Sequence, residues 1–532
     1  MLPSGRARKV ALGQFYTSRP IADFMVRLAD EPTSCTQALE PGIGAGVFLD
    51  ALLDAGFPKP HGIDLDDGNV SRAADRLAGK VKLTHSDFLA VPAEEAYDLV
   101  IGNPPYVAWQ NLDQDTRTRL LETEFWRGVA NGQWDLLYAF IIWAAEHLKP
   151  GGQLIYIVPF NWFNSTYAAT LRRYLAEHGA FEDLVHFGEF KLFSDCYPNC
   201  LIFSWRKGGD RRQPVFCVEY DGHSGPVEPV IKELHDHYDT RTVSRTVDRT
   251  EKLWSIFTQP QPAADELWYL ASPARRRRVQ AVEDACGNAS LADACSVAVG
   301  MVSGRDSAYV VSDDLASRLT SEEEKLVKPF VKARTCERYR LGTAQPMIFA
   351  DSVSDEDELR RRLPNLHAHL VAHRAALESR YLAGNKRWWH WATVRNLDLV
   401  ANATRSIIWL PGIDRAPRAR FCRSPAGMRA AGDVLAIVPH DSTAEDDRYL
   451  LAWLNSSAVN DWYRIKGSRT GRRIRYTQAY VQQIPLRRLD FADPRESGIH
   501  DQICALVDRI EAGDLDVDRG QAQIDELFDD LG

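Results

Sequence analysis

Several things are missing or scarce in this chain of 532 residues. No apolar run reaches the roughly 18 residues that a membrane-spanning helix needs, so no membrane partner is expected. The N-terminus has no apolar stretch of the secretory kind. Cysteine is sparse, with nine scattered residues of which Cys196 and Cys200 form the closest pair. That spacing has no second half to complete a zinc site, and reduced thiols in a cytoplasm are the simplest account. No Ser–His–Asp grouping and no metal-ligand cluster stands at a convincing spacing, so no metal is expected. A surplus of basic charge is missing too: 64 Lys and Arg against 73 Asp and Glu leave a net charge of −9. That argues mildly against nucleic acid, but net charge says little about where basic residues sit. The hydrophobic share of 45% and charged share of 26% are ordinary for a globular protein, and the length allows two or three domains.

The most informative segment that is present is Asn103-Pro104-Pro105-Tyr106. It follows Asp98-Leu99-Val100-Ile101-Gly102, which reads as a buried strand. A neutral aromatic amine is a poor nucleophile, because its lone pair is delocalised into the ring. Acceptors on both of its hydrogens favour localisation, and the Asn103 side-chain oxygen and Pro104 carbonyl can supply two. Neither proline donates an N–H and both fix φ, so the turn is stiff. Asn103 precedes a proline and is pushed towards extended backbone. Tyr106 offers a flat face on which a base can stack. A plain strand-ending turn is the alternative reading, since Asn and Pro are common turn residues.

About 60 residues upstream lies Leu39-Glu40-Pro41-Gly42-Ile43-Gly44-Ala45-Gly46. It reads as strand, tight turn and helix, with the glycines allowing a close approach to a ligand; alone, they could equally serve helix–strand packing. Gly62-Ile63-Asp64-Leu65-Asp66 reads as the next strand, and Asp64 stands where a doubly wound sheet binds ribose hydroxyls. Val81 to Thr84 reads as a third strand ending at Asp87-Phe88, where Asp87 can accept from an adenine amine and Phe88 can cover the ring. Four strand ends therefore converge on one crevice of an open α/β sheet. A nucleotide-like cofactor at one strand end and a planar amine at another suit methyl transfer from S-adenosylmethionine to an exocyclic nitrogen.

On these motifs the N-terminal half resembles the adenine-N6 DNA methyltransferases of type II restriction–modification systems, in the gamma subgroup with motif X first. Gly13-Gln14-Phe15-Tyr16-Thr17 and the amphipathic segment from Ile21 to Val26 resemble motif X. Ser18 stands where the pattern usually has proline, a tolerable departure because Thr17 and the backbone carry the cofactor contact. Glu40 to Gly46 resembles motif I, Asp64 motif II, Asp87-Phe88 motif III and Asn103 to Tyr106 motif IV. The resemblance implies a Rossmann-like methyltransferase sheet, S-adenosyl-L-methionine as cofactor and a flipped adenine. It implies cofactor contacts from Phe15, Tyr16, Thr17, Glu40, Pro41, Gly42, Gly44, Asp64, Asp87 and Phe88, and catalytic roles for Asn103, Pro104, Pro105 and Tyr106. Asp135 to about Leu148 reads as an apolar helix and Gln153 to Pro159 as a strand. Leu184 to Phe187 and Cys200 to Trp205 read as a hairpin closing the sheet. In the resembled family an aromatic between them stacks on the far face of the base; Phe193 is favoured, Tyr197 comes next, and an ordinary core aromatic is the alternative.

The catalytic domain is expected over 1–240 and a mixed α+β, TaqI-like DNA target-recognition domain over 241–532. The stretch from Asp210 to Pro262 is polar and reads as a connection with some structure, its apolar residues clustering near Leu253-Trp254. Arg275 to Arg278 is either a solvated helix start or a phosphate contact. Segments around Val299 to Gly304, Val327 to Tyr339, Leu450 to Tyr463 and Gln483 to Leu486 resemble the recognition domain of the subgroup. Arg464, Lys466, Arg469, Arg472, Arg473 and Arg475 lie within a dozen positions free of acidic residues. Such a segment suits phosphate contacts, with one or two arginines reading guanine edges, or it is merely solvated. Arg415, Arg418, Arg420 and Arg423 form a second basic set. Lys386-Arg387-Trp388-Trp389-His390-Trp391 either buttresses the domain or contacts bases. Beyond Asp490 a packed terminal helix is expected, with Ile503, Leu506, Val507 and Ile510 on one face.

Other classes compete. Methyltransferases acting on protein glutamine or RNA share the tetrapeptide, but are usually shorter and place their targeting module first. A fused nuclease finds weak support in Glu323-Glu324-Lys325, which lies in a solvated-looking charge run, and twelve residues before motif X are too few for one. A DNA-binding protein without catalysis has no need of Asn103, Pro104 and Tyr106 together. The expected partners are double-stranded DNA and a separate cognate restriction endonuclease, with the enzyme acting as a monomer on each strand in turn.

Overall fold

The computed structural model describes residues 17–77, 79–122, 126, 135–193, 199–239, 248–382, 384–415, 418–470 and 473–531. The chain forms two compact units, Met1–Arg276 and Arg277–Gly532.

The first unit is built on one sheet of ten strands: β1 Ala38–Pro41, β2 His61–Asp64, β3 Lys82–His85, β4 Tyr97–Gly102, β5 Leu148–Pro159, β6 Gly179–His186, β7 Cys200–Lys207, β8 Val215–Tyr220, β9 Asp248–Glu251 and β10 Trp254–Gln259. Their order is β3-β2-β1-β4-β5-β7-β6-β8-β10-β9. Strands β1 to β5 pair in parallel, and β7 runs antiparallel to both β5 and β6; the expected hairpin is present but does not close the sheet, which continues through β8 beyond β6. Parallel strands covered on both faces need apolar residues at every position. Accordingly Val100, Leu154, Tyr156 and Val158 enter one core cluster, and Leu99, Ile101, Ile155 and Ile157 the other. The helix Leu136–Glu146 packs in the first cluster, its start capped by the Asp135 side chain, which accepts from Leu137 N–H at 3.0 Å. The helix Arg19–Arg27 buries Ile21, Phe24 and Met25 in the second.

The sheet runs past the boundary expected at residue 240. The polar stretch read as a connection supplies β8, the helix Val227–Asp239, β9 and β10. Its apolar residues are drawn into both cores: Val215, Cys217 and Phe257 enter one cluster, and Val218, Ile231, Trp254 and Ile256 the other. The two edges of the sheet, β3 and β9, are each four residues long and mostly polar or charged.

The second unit is mixed α+β. Strands β11 Cys295–Val299, β14 Ile407–Pro411, β16 Cys422–Ser424 and β18 Val434–Pro439 form an antiparallel sheet in the order β11-β18-β14-β16. Strands β12 Val327–Val331, β13 Gln345–Ile348 and β17 Arg429–Ala430 form a second sheet. Strands β15 Ile413–Asp414, β19 Ser468–Thr470 and β20 Arg473–Arg475 form a third. The helix read over Leu450 to Tyr463 is two helices, Asp447–Asn455 and Ser457–Lys466, because Ser456 turns extended at ψ 156° and caps the second through Val459 N–H. The single terminal helix expected beyond Asp490 is two, Pro494–Ala512 and Val517–Asp530; the first buries Ile503, Val507 and Ile510 and leaves Leu506 half-buried. The aromatic run is a buttress: Trp389 and Trp391 are buried, their Nε1–H groups donating to the Val353 and Ile348 carbonyls, each at 2.9 Å. Among the described residues no helix is long and apolar enough to cross a membrane.

Candidate functional site

The strand order reverses direction between β1 and β4, which are direct neighbours with Ala38 opposite Leu99 and Leu39 opposite Val100. Loops leaving two such carboxyl ends diverge, and the crevice between them is where an open α/β sheet takes its ligand. The glycine-rich loop leaves β1 and the Asn-Pro-Pro-Tyr turn leaves β4, so the two motifs share one crevice although about 60 residues separate them.

Gly42, Gly44 and Gly46 have φ of 78°, 50° and 76°. Those left-handed conformations are open to glycine and strained for most other residues. Gly42 N–H donates to the Ile63 carbonyl at 2.7 Å, and Gly44 N–H to Asp64 Oδ2 at 2.9 Å. Asp64 also accepts from Asp66 N–H at 2.7 Å and Asn69 Nδ2 at 3.1 Å. A carboxylate has about four acceptor positions. Three are therefore used inside the protein, and Asp64 is first of all the peg that fixes the loop. Pro41, buried, ends β1. Glu40 is 2% exposed and its Oε2 accepts from Leu49 N–H, in the first turn of the helix Val47–Asp54, at 3.0 Å. Burial holds its carboxyl well above the usual carboxylate range, with the Leu49 N–H opposing.

Phe88 departs from its expected place. It is 3% exposed and packs against Phe140 and His147 at ring distances of 5.4 and 5.0 Å. The short helical turn Phe88–Ala90, capped by Asp87 Oδ1 through Leu89 N–H at 3.1 Å, carries the ring into the core. Leu65 is the apolar side chain left in the open there, 62% exposed, immediately after Asp64 at the end of β2. In sequence, an apolar residue between two acids at a strand end is the signal for such exposure.

The tetrapeptide is anchored from three sides. Asn103 Nδ2 donates to Thr17 Oγ1 at 3.1 Å, which joins motif X to motif IV. The Tyr106 hydroxyl reaches the Asn103 side-chain oxygen and, at 2.8 Å, the Ile157 carbonyl of β5. Beyond the turn, Leu136 N–H donates to the Val107 carbonyl at 2.9 Å. Pro104 is buried and Pro105 half-buried. Tyr106 keeps part of its surface open, as a stacking face requires. Phe193 does not: it is 4% exposed and enters the core cluster that holds Phe190 and Leu192, so the ordinary core reading describes it. Tyr197, Phe15 and Tyr16 lie outside the described residues.

In the second unit, β20 alternates as a strand should, with Arg473 and Arg475 exposed on either side of buried Ile474. Ser468 and Arg475, Arg469 and Ile474, and Thr470 and Arg473 are cross-strand partners. Arg472 lies outside the described residues. Arg464 is exposed and, with Arg338, Arg418, Asn460 and Asp518, lines a cleft of about 760 Å³. Lys466 is drawn inward instead: its Nζ donates to Glu283 at 2.8 Å and lies 5.4 Å from the Trp462 ring centroid. In the second basic set, Arg420 pairs with Asp414 at 2.6 Å and Arg423 with Glu511 at 2.6 Å. Arg275 pairs with Glu219 at 3.0 Å, and Arg276 lies over Tyr269. Glu323 caps: its carboxylate accepts from Thr320, Asn365 and Leu366 N–H, which leaves the nuclease-like spacing a structural one.

A profile of the Eco57I restriction-modification methylase family matches residues 61–193. The type II methyltransferase M.HindII of Haemophilus influenzae is 28% identical over 510 residues, which is 94% of each chain. The type II methyltransferase M.MjaIV of Methanocaldococcus jannaschii is 32% identical over 240 residues, 45% of this chain and 79% of that one. Among solved structures, the type IIL restriction-modification enzyme MmeI in complex with DNA aligns with 96% of this chain and 72% of its own, at 11% identity and a TM-score of 0.62, a likeness of fold. The left-handed glycines and the bonded carboxylates around them leave a backbone-lined cradle that fits S-adenosylmethionine, the cofactor of this enzyme class. With the sheet order, the shared crevice and these relatives together, the chain belongs to the type II methyltransferases of restriction–modification systems.

Proposed function

We propose that this enzyme methylates N6 of an adenine flipped out of a specific double-stranded DNA sequence. The observation that carries the reading is the shared crevice: glycine cradle and Asn-Pro-Pro-Tyr turn leave neighbouring parallel strands, so a cofactor and an amine meet there.

Glu40, Pro41, the Gly42 and Gly44 backbone, Asp64, Asp87 and Thr17 would hold S-adenosylmethionine, and we add Leu65 as the apolar cover in place of Phe88. When bound, the cofactor supplies an electrophilic methyl group. The protein orients the nucleophile. Inside a duplex the adenine amine cannot reach a buried donor, so the base must be extruded at a cost of a few kcal/mol, offset by pocket contacts. Tyr106 stacks on the ring. The Asn103 side-chain oxygen and the Pro104 carbonyl accept the two amine hydrogens and localise the lone pair. The proton can leave to water afterwards, so no strong base is required.

Arg464, Arg473 and Arg475 would contact phosphate or base edges, whereas Lys466 is held by Glu283. We further propose that the methyl mark protects host DNA in the cytoplasm from a separate endonuclease, and that the enzyme works as a monomer. The test is to incubate the purified protein with radiolabelled S-adenosylmethionine and, separately, genomic DNA, RNA and cell protein, and to identify the product by mass spectrometry. N6-methyladenine in DNA alone is expected. Label in RNA or protein overturns the substrate assignment.

A further inference from the structure

We propose that the Tyr106 hydroxyl is a positioning group for methyl transfer: it holds the Asn103 side-chain oxygen before the substrate arrives and releases it by turning to the Ile157 carbonyl. The inference rests on the amine-methylation reading above and adds to the stacking role of the ring.

A tyrosine hydroxyl has one proton and can turn it about the C–O bond without moving a heavy atom. Here two acceptors stand within reach of that proton, the Asn103 side-chain oxygen and the Ile157 carbonyl at 2.8 Å. Only one can receive it at a time. The Asn103 amide is also held at its other end, where Nδ2 donates to Thr17 Oγ1 at 3.1 Å. That contact leaves the oxygen end of the amide towards Tyr106, the end that must accept an amine N–H.

The Asn103 oxygen has two acceptor positions, and turning the Tyr106 proton away clears the one it occupies for an incoming amine. If Tyr106 had no other acceptor, yielding would strand a hydroxyl proton in a part-buried site, which is unfavourable. Ile157 removes that penalty. It lies in β5, whose register with β4 sets Gly102 opposite Tyr156, so its carbonyl is fixed by the sheet and independent of the loops. Substrate arrival thus exchanges one hydrogen bond for another, and the amide keeps its orientation through Thr17.

Tyr106→Phe keeps the stacking ring and removes the hydroxyl. The wild-type enzyme first defines its own methylated site by sequencing of modified genomic DNA, and duplexes carrying that site, with 2-aminopurine at the target adenine for the flipping assay, serve as probes. At saturating cofactor and DNA, the single-turnover rate of Tyr106→Phe should fall about ten- to a hundredfold. Its affinities for S-adenosylmethionine and duplex, and the 2-aminopurine fluorescence, should stay within about twofold of wild type. Thr17→Val should also lower the rate at saturating cofactor, whatever it does to cofactor affinity, with Thr17→Ser restoring it. An unchanged rate for Tyr106→Phe overturns the proposal, as does a rate loss matched by lost flipping or restored by more cofactor. Should the wild-type product prove to be another amine, the adenine reading fails, while the Tyr106→Phe comparison on that amine still decides the role of the hydroxyl.

Discussion

Asp64 Oδ2 lies 2.9 Å from the backbone nitrogen of Gly44, a side-chain bond that, beside the backbone bond from Gly42 to Ile63, ties the end of β2 to the loop that leaves β1. Both ends of the contact belong to the cradle proposed for the cofactor. Asp64→Ala should therefore weaken S-adenosylmethionine binding about tenfold or more even if the carboxylate never touches the ligand, since the loop loses its peg. Asp64→Asn, which keeps an acceptor oxygen, should fall in between. Calorimetric titration measures both, and wild-type affinity in Asp64→Ala would show that the loop is held without it.

Asn103→Ala removes the amide from both Thr17 and Tyr106. Methyl transfer should drop by at least about a hundredfold. Cofactor affinity should hold near wild type, because the glycine cradle is untouched. Normal turnover by this variant would refute the amine-orienting role.

His61 makes a pH prediction. Its ring bonds to the Tyr97 hydroxyl at 2.6 Å and Thr84 Oγ1 at 2.9 Å, tying the start of β2 to β4 and β3. Burial, with help from Lys82 and His147, lowers its pKa from 6.5 to about 4. The folded state thus resists protonation, so His61 contributes stability above pH 6.5 that is lost as pH falls towards 4. The difference in unfolding free energy between wild type and His61→Gln should shrink by about 1–3 kcal/mol across that window. Chemical denaturation at a series of pH values measures it, and a constant difference would mean the ring protonates freely in the fold.

The basic residues of the second unit separate by their partners. Alanine at Arg473 and Arg475 together should weaken DNA binding and reduce the magnitude of the salt-dependence slope by about one for each phosphate no longer neutralised. Lys466→Ala, whose ammonium already neutralises Glu283, should leave the slope nearly unchanged. Binding isotherms from low to moderate salt distinguish the two. A slope that falls without Lys466 but stands without the arginines would invert the assignment.

The cradle and the tetrapeptide are legible in sequence because their backbones demand particular residues. Three left-handed positions call for glycine, and a stiff turn without N–H donors calls for two prolines. Phe88 is not legible in the same way. An aromatic after an acid at a strand end reads alike whether it faces ligand or core, and what draws it inward are Phe140 and His147, more than fifty positions along the chain. Phe193, too, lies in the core, beside Phe190 and Leu192, and its sequence context does not tell a core ring from a stacking one. The strands β8 and β10 are short apolar runs, Val215–Tyr220 and Trp254–Gln259, set far apart in a polar stretch, and only their pairing with each other and with β6 makes them part of the sheet. Charge runs are the least legible: Lys466 and Arg473 look alike until Glu283 is found beside one of them.

The ten-stranded sheet ends at β3, with Lys82, Thr84 and His85, and at β9, with Asp248, Arg249, Thr250 and Glu251. A free strand edge is a template on which another chain can add its own strand, and short, charged edges discourage that. Both margins of this sheet are therefore poor templates for a strand from a second copy.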